Sequence, residues 1–204
     1  MRRILLLLIA ILTASLAPAA APRTAHAAST ITADARILAA PRATKGQAQR
    51  YLLPRYTGAY SDLDVRWIVT LYFAEAPLVG VDPLVAIAQM SHETGSLSSW
   101  WAQRPRRNMA GIGVNGMPGA GCTFPSLRAA VRAHVGRLLA YALPKGQGTA
   151  AQRALIAEAL SWRALPDSYR GSARTIRGLT GRWATDPYYH GKVVRHANAI
   201  LATR

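Results

Sequence analysis

The chain has 204 residues, half of them apolar and 17% charged, with 25 Lys plus Arg against 9 Asp plus Glu and a formal charge of +16. That is one domain of ordinary size with material for a core, which excludes a chain disordered throughout. The single cysteine, Cys122, excludes an internal disulfide framework and a cysteine-built zinc site.

Residues 1–28 read as a secretory signal. Arg2 and Arg3 precede an apolar stretch from Ile4 to Leu16, and Ala25-His26-Ala27 offers the small-x-small pattern for cleavage. The stretch is too short for an anchor, since a spanning helix needs roughly 20 apolar residues. Cleavage after Ala27 leaves 22 basic against 9 acidic residues in a protein expected to be secreted or held at the cell wall. Anionic surroundings, such as acidic wall polymers, then fit the charge better than nucleic acid, and no stable membrane anchor is expected.

Residues 29–43 read as a partly ordered lead-in to a domain over 44–204. A short helix is expected from Thr44 to Arg55, and a second begins at Ser61 with Asp62 and Asp64 in its first turn. A third starts at Asp82-Pro83, a cap followed by proline at the first helical position. Its body, Leu84 to Met90, is apolar on nearly all sides, the mark of a helix in the middle of a domain. Residues 95–124 hold six Gly, two Pro, two adjacent Trp and no acid, and suggest an irregular lobe with a β-hairpin at Val114 to Gly121. Helical patterns return at Ser126–Leu143, Ala150–Ala164 and, after a second Asp-Pro pair, Pro187–Ala202. The fold class expected is α+β, mostly helical, with a small Gly-rich lobe.

Glu93 closes the apolar helix, just before Thr94-Gly95. Burial at the rim of a core disfavours the carboxylate and raises its pKa, the condition for protonating a glycosidic leaving oxygen. The competing reading is an ion pair with Arg104, Arg106 or Arg107, which otherwise form a solvated loop face or meet substrate carboxylates. Trp100, Trp101, Trp183, Tyr188 and Tyr189 supply faces for stacking on sugar rings, and core packing is the alternative for each. Asn108 and Gly111, within Asn108-Met109-Ala110-Gly111-Ile112-Gly113, let a glycan pass close to the backbone, or simply make a tight turn. His92 adjoins the acid, but neighbouring helical side chains diverge by about 100°. No histidine has metal-ligand spacing, so neither metal nor cofactor is expected.

Three runs together resemble the bacterial peptidoglycan endo-β-N-acetylglucosaminidases, a family often labelled mannosyl-glycoprotein endo-β-N-acetylglucosaminidase-like. They are Gly80-Val81-Asp82-Pro83-Leu84 through Gln89-Met90-Ser91-His92-Glu93-Thr94-Gly95, then Asn108 to Gly113, then Trp183-Ala184-Thr185-Asp186-Pro187-Tyr188-Tyr189. The resemblance spans about residues 60–202. It implies a lysozyme-like fold, glycan strands of peptidoglycan as substrate, and Glu93 as the catalytic acid.

Members of that family often carry a second candidate carboxylate in the lobe after the acid, whereas here none lies between Glu93 and Glu158. Either Glu158, Asp167 or Asp186 comes round to the cleft, or the substrate's own N-acetyl group attacks the anomeric carbon with a tyrosine such as Tyr188 assisting. Substrate assistance is the version adopted. A lytic transglycosylase and a non-catalytic glycan-binding wall protein are the rival functions.

Overall fold

The computed structural model describes residues 30–117 and 119–204, so the leader expected over 1–28 lies outside the described residues. Six helices carry the fold: α1 Lys45–Leu52, α2 Asp62–Glu75, α3 Pro83–Thr94, α4 Leu127–Ala142, α5 Ala150–Trp162 and α6 Tyr189–Leu201. Their starts are chemically marked. The side chains of Thr44, Ser61, Asp82, Ser126 and Thr149 each accept a backbone N–H of the first turn, and each cap is worth about 1 kcal/mol. Among the described residues no helix is long and apolar enough to cross a membrane.

The near-continuous apolar run of α3 has the expected result: every residue from Pro83 to Ser91 is buried. It lies against α1, α2, α4 and α6, so its C-terminal turn, with Glu93, emerges from the middle of the core. Gly95 ends it in the left-handed conformation, and Ser96 and Leu97 follow with φ of 56° and 71°. The Thr94 hydroxyl holds this strained exit by accepting the Leu97 N–H at 2.8 Å.

The described structure is mostly helical, and its β component amounts to three isolated bridges. The hairpin expected over Val114–Gly121 does not form among the described residues. Gly113, Gly116, Gly119 and Gly121 all have positive φ, which bends the chain out of strand geometry. The Arg106 guanidinium also takes the carbonyls of Gly119, Ala120 and Gly121, which a strand ladder would need.

The segment read as a partly ordered lead-in packs onto the rest of the domain. Ile37 is fully buried, its N–H bonds to the Arg174 carbonyl, and its carbonyl accepts the Asp82 N–H. The Ile31 N–H donates to Asn198 Oδ1 at 2.8 Å, and its carbonyl accepts from Asn198 Nδ2 at 3.0 Å.

At the crossing of α4 and α5, a Cβ on Gly136 would lie 2.5 Å from the Leu155 carbonyl oxygen and 2.7 Å from the Ala159 Cβ. Gly136→Ala would gain up to about 1 kcal/mol of helix propensity. The backbone collision outweighs that gain, so a net loss of about 2 kcal/mol is expected in urea unfolding. A stabilised variant would contradict this packing.

Candidate active site

A cavity of about 530 Å³ opens where α3 ends. The Gly-rich lobe contributes Ala110 to Val114, α4 contributes Arg137 and Tyr141, and the stretch after α5 contributes Arg163 to Pro166 with Tyr169. Arg182, Trp183 and Ala184 complete the lining. Glu93 is its one carboxylate among the described residues. Glu158 is tied to Arg132, Asp167 to Lys145 and Asp186 to Lys192, and none of the three is part of this lining.

Burial pushes the Glu93 carboxyl up from its ordinary 4.5 to about 7, although hydrogen bonding from Tyr189 and Trp183 acts the other way. The loop arginines do not neutralise it. Arg104 pairs with Asp64 at 2.7 Å, Arg106 holds the lobe and covers the Trp100 ring, and Arg107 donates to the Pro105 and Phe124 carbonyls. A carboxyl that changes charge near neutral pH can give and retake a proton under mild conditions.

Behind the acid runs a hydrogen-bond relay with a single sense. The Tyr189 hydroxyl donates to Glu93 Oε1 at 2.5 Å and accepts from Gln89 Nε2 at 2.7 Å. The Gln89 carbonyl faces His134 Nε2 at 2.9 Å, so that nitrogen carries the proton. His134 Nδ1 is then the acceptor for the Tyr72 hydroxyl at 2.7 Å. Complete burial pushes the His134 pKa down to about 3, which keeps the ring neutral as this tautomer requires. Each donor is therefore satisfied only if Tyr189 points its proton at Glu93.

The expected site residues divide into three groups. Glu93, Gly111 and Trp183 line the cavity. Trp101 and Tyr189 flank the acid. A Cβ on Gly111 would sit 3.6 Å from Trp101 Nε1 and 3.7 Å from Glu93 Oε2, so the indole nitrogen and the carboxyl face the same point above a bare backbone. Trp101 Nε1 is buried without a partner. The other three lie elsewhere. Asn108 is fully buried and ties the Ile112 N–H and carbonyl into a turn. Trp100 packs edge-on against Trp101, half-exposed and outside the lining. Tyr188 is 74% exposed beside Lys192 and Arg195.

The tyrosine at the acid is thus Tyr189, one position on. Asp186 accepts the Tyr188 N–H in a turn, and α6 begins only at Tyr189. The helix expected from Pro187 thus starts two residues later, and of the two expected tyrosines Tyr189 is the buried one. Sequence reasoning also passed over Gln89, His134, Arg137, Tyr141 and Tyr169. The first four had a signal: Gln89 and Glu93 in α3, and His134, Arg137 and Tyr141 in α4, are polar residues spaced three or four apart, on one face of each helix. Among the described residues no cluster of His, Cys, Asp or Glu could hold a metal.

Residues 69–201 match the family model described as mannosyl-glycoprotein endo-beta-N-acetylglucosaminidase. An uncharacterized protein of Borreliella burgdorferi is 30% identical over 158 residues, covering 74% of this chain and 72% of that protein. The catalytic domain of the autolysin Auto from Listeria monocytogenes superposes with a TM-score of 0.41 at 18% identity, covering 76% of this chain and 94% of that domain.

Proposed function

Since the chain belongs to the mannosyl-glycoprotein endo-beta-N-acetylglucosaminidase family, we propose that it is a secreted peptidoglycan hydrolase cutting β-1,4 links on the N-acetylglucosamine side. The observation that carries this reading is Glu93, a carboxyl with a pKa of about 7 and the one acid in its cavity. The leader over residues 1–28 supports secretion, and an acid closing a buried central helix is in keeping with a lysozyme-like fold.

In this mechanism protonated Glu93 gives its proton to the glycosidic oxygen as the bond to the anomeric carbon breaks. The carbonyl oxygen of the substrate's 2-acetamido group attacks that carbon from the opposite face and forms an oxazolinium ring. Glu93, now a carboxylate, takes a proton from water, whose oxygen opens the ring and leaves a reducing N-acetylglucosamine end. One carboxyl serves both steps, as a cavity with one acid requires. Tyr189 steadies Glu93, Trp183 and Tyr141 offer ring faces, and Gly111 lets the sugar approach the backbone.

Mass spectrometry of fragments from purified peptidoglycan tests the reaction. Reducing N-acetylglucosamine ends support it, anhydromuramic ends would make the enzyme a lytic transglycosylase, and no release would leave a binding protein. Single-acid chemistry has its own check. Glu158→Gln, Asp167→Asn and Asp186→Asn should each cost less than about tenfold in kcat/KM, or 1.4 kcal/mol. A deep, fold-neutral loss at one of them would identify a second catalytic carboxylate.

A further inference from the structure

The cavity that holds Glu93 is otherwise basic. Arg137, Arg163 and Arg182 all line it, and none of the three enters an ion pair among the described residues. There is little left to pair with them. Asp34, Asp64, Glu75, Asp82, Glu158, Asp167 and Asp186 each hold another cation.

Arg137 is the informative member. It is only 9% exposed, and a guanidinium removed from water is costly without an anion. Its protein acceptor is the Arg163 carbonyl at 2.9 Å, which brings two arginines together rather than neutralising either. Burial, joined by the charge of Arg163, pushes its pKa down against the pull of Tyr141. Arg163 itself is exposed, and its guanidinium lies against Gly113, where a Cβ would come within 2.9 Å of Nη1. The three arginines thus share one cavity lining with the Tyr141 and Tyr169 rings, Arg182 also donating to the Gly178 carbonyl at 3.2 Å.

We propose that Arg137, Arg163 and Arg182 form an anionic subsite that takes a carboxylate carried by the glycan, so that the enzyme selects acidic N-acetyl sugars over neutral N-acetylglucosamine polymers. Guanidinium groups bind carboxylates through paired, charge-assisted hydrogen bonds. In a peptidoglycan strand the carboxylate has two sources, the bare lactyl group of muramic acid and the stem peptide attached through it. The inference rests on the glycosidase reading above.

Calorimetric titration of the full chain carrying Glu93→Gln, which holds substrate without cutting it, tests the subsite. Three tetrasaccharides serve as probes: neutral chitotetraose, the peptide-free strand with free lactyl carboxylates, and the same strand bearing stem peptides. At least one acidic probe should bind about tenfold or more tighter than chitotetraose, an advantage that falls with added salt. Whichever acidic probe binds better identifies the source of the carboxylate. Adding Arg163→Gln, at an exposed position that spares the core, should cut the advantage to about threefold or less. Arg137→Lys, which keeps the charge and loses the fork, should fall between. Equal affinity for all three probes, or an advantage untouched by Arg163→Gln, would overturn the subsite while leaving the glycosidase reading intact. If no probe binds and the wild-type chain cuts none, both readings fail.

Discussion

Replacing Glu93 by Gln is expected to lower cell-wall hydrolysis about 10²-fold or more, because the amide keeps size and hydrogen bonding but has no proton to deliver. The same substitution should make the protein more stable at alkaline pH. The folded chain holds the Glu93 proton up to about pH 7, whereas an unfolded glutamate releases it near 4.5. This carboxyl's favourable contribution is therefore complete below pH 4.5 and is lost as the pH rises through 7. Keeping the ionised group in place costs the native state up to about 3 kcal/mol above pH 8, less what solvent screening recovers at its open face. The neutral amide of the variant carries no such cost.

Urea unfolding of both proteins across pH 5 to 9 isolates the effect, since every other titrating group cancels in the difference. The gap should grow in favour of the variant as the pH rises. Wild-type activity in the variant would refute Glu93 as the acid. A gap that ignores pH would refute its being held neutral.

The second large effect is expected at Tyr189. Tyr189→Phe removes the donor to Glu93 Oε1 and leaves Gln89 Nε2 without its acceptor. A buried donor without a partner costs about 1–3 kcal/mol of stability. Activity should fall about tenfold as the acid loses its fixed orientation. The direction of the pH profile distinguishes this from general damage. The tyrosine hydroxyl favours the carboxylate form, so its removal pushes the Glu93 pKa above about 7. In the proposed mechanism hydrolysis depends on the protonated form, so its alkaline limb should move to higher pH even as the maximum drops. A lower curve of unchanged shape would mean that Tyr189 only packs. Tyr188→Phe, at the exposed neighbouring ring, should leave the limb where it is.

Much of the scaffold was legible because helix starts are written in short-range chemistry. Ser61 and Asp82 cap in the structure as their types and spacing suggest. Glu93 was legible for a related reason: a carboxylate closing an apolar helix contradicts its surroundings. The rest depends on contacts distant in sequence. Asp186-Pro187 resembles Asp82-Pro83, and both carboxylates accept the N–H two residues on, yet α3 begins at Pro83 and α6 only at Tyr189. No local pattern distinguishes the two. The arginines divide in the same way. Those at 104–107 looked like a contiguous basic face but spend their donors on Asp64 and on lobe carbonyls. Arg137, Arg163 and Arg182, scattered along the chain, converge on the cleft only once α4 and α5 have packed.

The hydrogen-bonded pair Ile31 and Asn198 sets an order of events for the growing chain. A ribosome releases Ile31 first and Asn198 only 167 residues later, so the two ends of the domain meet when synthesis of α6 is nearly complete. Tyr189 arrives on that same helix. Until it docks, Glu93 lacks the hydroxyl that orients it, and Gln89 lacks the acceptor that ends the chain of donors from Tyr72. Closing so long a loop costs more entropy than forming a local contact. A nascent or prematurely terminated polypeptide therefore has the Glu93 carboxyl but not the hydrogen bond that orients it, and under the proposed mechanism competence to cut a glycan comes with the last helix.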